Sequence, residues 1–244
     1  MLEFLADPAT WASLATLIVL EIVLGVDNVI FISIVSNRLP EGERERARRY
    51  GLLGALGLRI LLLGSIAWIV TLSEPFTEIM GRPFSWRDLI LLAGGLFLIY
   101  KAATEIHAEV EGDEHEMGVG GAVATFTGVI GQVMLLDLVF SIDSVITAVG
   151  VADHLAVMIA AVVVAIGVMM VAANPIARFV ENHPSTKMLA LSFLVMIGMA
   201  LMADGFGYHV DRGFIYAAMV FGGAVEGLNL LRGRRNRKRR VPGV

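Results

Sequence analysis

The stretch Glu21-Ile22-Val23-Leu24-Gly25-Val26-Asp27-Asn28-Val29-Ile30 aligns without a gap to Asp137-Leu138-Val139-Phe140-Ser141-Ile142-Asp143-Ser144-Val145-Ile146, at a constant offset of 116 residues. Each copy reads as an acid, five positions, a second acid, a small polar residue and Val-Ile. Both copies lie inside long apolar runs. An Asp or Glu at mid-membrane costs about 2.5–3.5 kcal/mol on insertion scales, so four of them left unpaired would cost on the order of 10 kcal/mol. The duplication and its cost argue against accident. The offsetting partner is a proton, a cationic side chain, water or a metal ion. Arg59, deep in a neighbouring apolar run, is expected to pair with a motif acid. The competing structural reading has Glu21 and Asp137 neutral and hydrogen-bonded between helices.

The rest of the chain supports a membrane setting. Of 244 residues, 57% are hydrophobic and 17% charged, and the mean hydropathy is +0.75. Soluble domains run at about 45–50% apolar and about 25% charged. Disorder is excluded, because it needs low hydrophobicity and high charge. With Cys at 0, so are disulfides, thiolate metal sites and cysteine nucleophiles. Seven runs reach the roughly 20 residues that span a bilayer: 10–36, 49–72, 88–107, 121–150, 155–178, 187–206 and 213–231. Between them lie a charged stretch at 37–49 with Pro40, a gap holding Pro75 and Pro83, an acidic stretch at 108–118, and short breaks near 151–154, 182–184 and 205–213. No Lys or Arg precedes the first run, so that span is expected to be retained rather than cleaved.

Three spans separate the two motifs, and an odd number forces the halves into opposite orientations. Inverted repeats of this kind place a site near the midplane where the repeats meet. The expected fold is an all-α membrane protein of seven transmembrane helices, an inverted 3+3 repeat plus one extra helix. Residues 1–9 form a short outer segment, 10–107 the first three-helix repeat, 108–119 an acidic cytoplasmic loop, 120–206 the second, inverted repeat, 207–231 the seventh helix and 232–244 a basic cytoplasmic tail. Five Arg at 38–49, Arg178 and Lys187, and seven Lys or Arg at 232–240 fall on one side, against Arg82, Arg87 and Arg212 on the other. By the positive-inside rule the N-terminus is outside and the tail is in the cytoplasm. The tail reads as a topology signal at lipid headgroups, and no nucleic-acid partner is expected.

Glu21, Gly25 and Asn28 form one stripe of a helix, and Asp137, Ser141 and Ser144 repeat it. Asp27 and Asp143 sit one residue earlier, about 100° away on a regular helix. A local break near Gly25 and Ser141 would let all of them converge. Without one, the Asp pair is expected to hold an ion while Glu21 and Asp137 face a neighbouring helix. Carboxylate, amide and hydroxyl oxygens suit hard cations such as Mg2+, Ca2+ and Mn2+. Arg59, Lys101, Glu105 and Asp204 are candidate gating or counter-charge residues, Arg59 standing in for the cation when the site is empty. Lys101 and Glu105, at i and i+4, are read as a structural pair or a gate. Asp204, near the end of the sixth span, is read as lining an exit. Gly51, Gly54 and Gly57, and Gly128 with Gly131, are expected to serve close helix packing.

At these motifs the sequence resembles the TerC family of integral membrane proteins. Glu21–Asn28 looks like its first signature and Asp137–Ser144 like its second. His183-Pro184-Ser185-Thr186-Lys187-Met188-Leu189-Ala190-Leu191-Ser192-Phe193 and Ala203-Asp204-Gly205-Phe206-Gly207 extend the likeness, which runs from about Ala9 to Leu231. Some relatives add CBS and CorC-type domains, which are not expected here. The resemblance implies a metal role for Glu21, Asp27, Asn28, Asp137, Asp143 and Ser144 and Mn2+ export across the cytoplasmic membrane; the residues alone imply only a hard divalent cation. Proton antiport is the expected coupling, because burial and like-charged neighbours favour protonated carboxylates in an empty site. No permanently bound cofactor is expected. The partners expected are the bilayer and the transported ion, with self-association compatible with the pattern. The rival reading is a membrane scaffold, an insertion factor or a tellurite-resistance component without ion transport. An enzyme is not expected, since no nucleophile, catalytic His or phosphate loop accompanies the acids.

Overall fold

The computed structural model describes residues 7–65, 71–79, 82–111, 125–151 and 154–239. Within the helices, the side chains of Asp27, Asp143 and Ser144 lie outside the described residues. The described elements are α1 (Pro8–Ser36), α2 (Glu41–Gly64), β1 (Pro75–Ile79), β2 (Arg82–Ser85), α3 (Trp86–Glu111), α4 (Phe126–Val151), α5 (Leu155–Glu181), α6 (Pro184–Gly205) and α7 (Arg212–Arg239). Each helix sits on one of the seven apolar runs. Among the described residues, α1, α3, α5, α6 and the Arg212–Arg232 part of α7 are long and apolar enough to cross a membrane.

Local chemistry sets the boundaries. Asp7 caps α1, its carboxylate accepting the Ala9 N–H at 3.0 Å, and Pro8 occupies the first turn, where its missing N–H does no harm. Ser85 and Asp88 form a reciprocal cap on α3: Asp88 Oδ2 accepts the Ser85 N–H at 2.9 Å and Ser85 Oγ accepts the Asp88 N–H at 3.2 Å. The sixth helix stops at Gly207, whose φ of 76° only glycine adopts freely, and the Tyr208 N–H then closes on the Ala203 carbonyl at 2.8 Å.

Three expectations are corrected. The fold is not wholly α: β1 and β2 form an antiparallel hairpin between α2 and α3, tied down where Phe76 stacks on Trp86 at 4.7 Å. The charged stretch before the second span is helix, not loop, because α2 starts at Glu41. Glu, Arg and Ala are good helix formers, and Glu41 and Glu43 complement the dipole of the first turn. The basic tail likewise continues α7 as helix to Arg239. The acidic stretch 112–119 lies outside the described residues.

The packing has a clear order. The first helix packs on α5, α2 on α4, and α3 on α6, while α7 touches only the outside of α6 in substantial contact. Two apolar clusters result. Leu17, Val29, Leu52, Val133 and Ile166 tie α1, α2, α4 and α5 together. Phe31, Ile34, Leu136, Leu98 and Leu194 join the other faces of α1 and α4 to α3 and α6. The two motif helices therefore run through the middle, apolar on every side. The closest approach is at α3 and α6, where a Cβ on Gly95 would stand 2.6 Å from the Gly198 carbonyl oxygen. The expected glycine stripe holds at Gly51 and Gly54, which face Val133 and Met134, and fails at Gly57 and Gly131, which face open space. Gly128 meets only Thr125, three residues earlier on its own chain.

Candidate functional site

Glu21 lies about 20 Å by helical rise from either end of α1, and Asp137 about 16–21 Å from the ends of α4. Both carboxylates are thus at mid-bundle, each 4% exposed. Arg59 reaches between them from α2 and is 3% exposed. Its Nε donates to both oxygens of Asp137, at 3.1 and 3.2 Å, and its Nη2 donates to Asp137 Oδ1 at 2.7 Å. Its Nη1 pairs with Glu21. The planar guanidinium suits this fork, since its donors can face two carboxylates at once. Asn28 Nδ2 donates to Asp137 Oδ1 at 3.1 Å, and Ser141 Oγ to Asp137 Oδ2 at 3.2 Å. Asp137 thus collects residues from three helices.

Both motif helices run unbroken through Gly25 and Ser141. Gly25 has a packing reason instead: a Cβ there would lie 2.0 Å from Met169 Cε. The Glu21 and Asp137 carboxylates accordingly face the neighbouring α2. The ion pair expected for Arg59 is present, and it joins both motif acids rather than one. Among the described residues, two buried carboxylates meet one guanidinium, so the group keeps one formal negative charge for a proton or a cation to balance. Also among the described residues, no cluster of three or more His, Asp or Glu is placed to hold a metal ion. Beside the triad is a cavity about the size of one water molecule, lined by Asn28, Ile32, Leu52, Ala55 and Met169 among others.

The other candidate charges lie apart from the triad. Glu105 forms its salt bridge with Arg38 at 2.5 Å, across the bundle end, and Lys101 one turn away keeps an electrostatic attraction to it. Asp204 Oδ1 accepts the Val210 N–H at 3.2 Å and faces His209 at 3.4 Å, so it organises the α6–α7 turn. Glu226 accepts from Ser185 Oγ at 2.5 Å and Thr186 Oγ1 at 3.1 Å, fastening α7 to the start of α6. Arg48, Asn174 and Glu181 form a polar cluster that sequence reasoning missed. Its signal was Asn174-Pro175, a polar residue and a helix breaker inside an apolar run.

The family model described as "Integral membrane protein TerC family" matches residues 6–241. The chain belongs to the TerC family. This TerC protein is 54% identical over 236 residues to "UPF0053 inner membrane protein YgdQ" of Escherichia coli (strain K12), covering 97% of this chain and 99% of YgdQ. It is 51% identical over 235 residues to "UPF0053 inner membrane protein YoaE" of the same strain, covering 96% of this chain and 45% of YoaE. It is 50% identical over 230 residues to "UPF0053 protein YegH", covering 94% of this chain and 44% of that one. No solved structure gives a significant match. Family, relatives and apolar helices together make this TerC protein a multi-pass inner-membrane protein.

Proposed function

We propose that this TerC protein exports a hard divalent cation, Mn2+ first among them, from a site where the two acidic motifs meet. The observation that carries the reading is the triad: one carboxylate from each motif, buried at mid-bundle, held by a guanidinium tethered to a third helix. A buried carboxylate pair needs a cation. Arg59 supplies one in this conformation and is the group that a metal ion displaces. Asp27, Asn28, Asp143 and Ser144 complete an all-oxygen set of the kind hard cations take.

The packing supports a seven-span inverted 3+3 repeat. If α1–α3 correspond to α4–α6, then the pairing of α1 with α5 has its counterpart in α2 with α4, and α3 with α6 is its own counterpart; these are the pairings present. The Lys and Arg asymmetry supports an outside N-terminus and a cytoplasmic tail. Proton antiport follows from the leftover negative charge, which a proton balances when metal leaves. No chemical step on a substrate is proposed.

The test is metal flux in proteoliposomes, with Mn2+, Ca2+, Mg2+ and Zn2+ offered in turn. Mn2+ flux that disappears in Asp27→Asn/Asp143→Asn supports the reading. Flux indifferent to an imposed pH gradient refutes antiport alone. No flux of any ion from folded protein favours the scaffold reading, in which the Arg59 ion pairs serve as architecture.

A further inference from the structure

The small cavity extends from the triad toward the bundle end where α1 stops and α2 begins, since Asn28, Ile32, Leu52 and Ala55 line it. Toward that end, polar side chains join α2 to α1 and α5. Arg48, 8% exposed, donates from Nη1 to Ser36 Oγ and from Nε to Asn174 Oδ1, each at 3.0 Å. Asn174 Nδ2 donates back to Glu45 Oε1 at 3.1 Å. Further out, Arg44 Nη1 pairs with Glu181 Oε1 at 2.6 Å, and Arg44 Nε holds the Leu39 carbonyl at 2.8 Å. The first two turns of α2 thus grip α5 at two points seven residues apart, one face of that helix. Pro175 lies between the two points. It has no N–H to offer the Val171 carbonyl, and its ring crowds the preceding turn, so α5 bends most easily here.

We propose that residues 176–181 of α5 form a gate on the expected cytoplasmic side, hinged at Pro175 and latched to α2 by Arg44–Glu181, while Arg48–Asn174 anchors α5 on the fixed side of the hinge; the proposal rests on the transporter reading above. The latch is polar, so its opening exchanges protein partners for water, while Ala177 and Val180 on the same segment, 1% and 3% exposed, come off the core with it. Arg44 and Arg59 are on one helix, α2. A shift of α2 that withdraws Arg59 from the carboxylates therefore also works the latch, and the cation path and the cation site open together.

The chain has Cys at 0, so one introduced thiol is a clean reporter. Ala55, 2% exposed, lines the cavity behind the latch. Full-length Ala55→Cys protein in liposomes is treated with a membrane-impermeant maleimide from the side bearing the C-terminus. Arg44→Gln/Glu181→Gln is expected to raise the labelling rate about tenfold or more, as loss of hydrogen bonds to charged groups implies. Glu181→Arg alone, which sets two arginines against each other, raises it as well, and adding Arg44→Glu restores the starting rate and shows that the fold is intact. Labelling unchanged across all variants, with Mn2+ flux still present, overturns the gate and leaves the transport reading standing. Faster labelling in the variants, with no flux of any of the four ions from the parent, overturns the transport reading instead.

Discussion

Replacing Arg59 with methionine removes the guanidinium and keeps most of its apolar stem. In the structure that group presents Nε and Nη2 to Asp137 and Nη1 to Glu21. Hydrogen bonds to charged groups contribute about 1.5–3 kcal/mol each, so three of them amount to about 4.5–9 kcal/mol gross. Part is recovered because an arginine no longer has to leave water, and removing one partner from a buried pair costs about 3–5 kcal/mol net. No discount for solvent applies, since Glu21, Arg59 and Asp137 are 4%, 3% and 4% exposed. For a chain of this length the loss corresponds to a fall in Tm of roughly 6–20 °C. Thermal unfolding of purified protein in mild detergent measures it. If the carboxylates belong to the cargo site, Mn2+ restores the missing charge. At 100 times its Kd a ligand adds about 2.7 kcal/mol, so Mn2+ should recover about half of the loss or more, and should stabilise the parent less, because there Arg59 competes. A variant as stable as the parent refutes the charge argument. A destabilised variant unmoved by Mn2+ refutes Arg59 as a stand-in for cargo.

Other outcomes follow from particular contacts. Gly95→Leu should destabilise by about 3 kcal/mol or more, because the Gly198 carbonyl stands where its Cβ must go; Gly57→Ala, facing open space, should gain about 0.5–1 kcal/mol. Thermal unfolding in detergent compares the two. Glu226→Ala should cost about 1–3 kcal/mol by removing the charged acceptor of the Ser185 and Thr186 hydroxyls, while Mn2+ titration of the folded variant gives the parental affinity. Asp204→Asn should cost about 1 kcal/mol and leave Mn2+ flux intact, since Asp204 serves the α6–α7 turn; flux lost from folded Asp204→Asn would return it to the ion path.

The triad was legible in the sequence because charge in an apolar run is expensive enough to need a reason. Glu21, Asp137 and Arg59 stand out on that ground alone, and charge balance brings them together. The latch was not legible, although Arg44 carries the same charge. It falls in a stretch whose composition suits an exposed loop equally well, and only helix formation from Glu41 turns Arg44, Glu45 and Arg48 onto α5. Gly25 was misleading for a related reason. A glycine beside functional acids suggests a break, but its meaning lies in Met169, a residue 144 positions away that no local pattern reveals. The Gly95–Gly198 contact is likewise visible as two glycines and invisible as a pair until α3 and α6 meet. The hairpin at Pro75–Ser85 escaped because its strands are only 5 and 4 residues long and each carries a proline.

The repeat makes its own argument about function through the point where it fails. At the offset that aligns the two acidic motifs, Arg59 falls opposite Pro175. The first repeat places a cation in its second helix; the second places a helix breaker there. With one arginine, the described acids keep a unit of negative charge, and the tethered cation can be traded for a free one. On the proposed reading, Pro175 supplies the bend from which the far end of α5 moves. A permanent scaffold gains from a saturated centre and an unbroken helix. A carrier needs an unsaturated centre and a helix that gives way, and the proposed reading assigns these to the Arg59 triad and to Pro175.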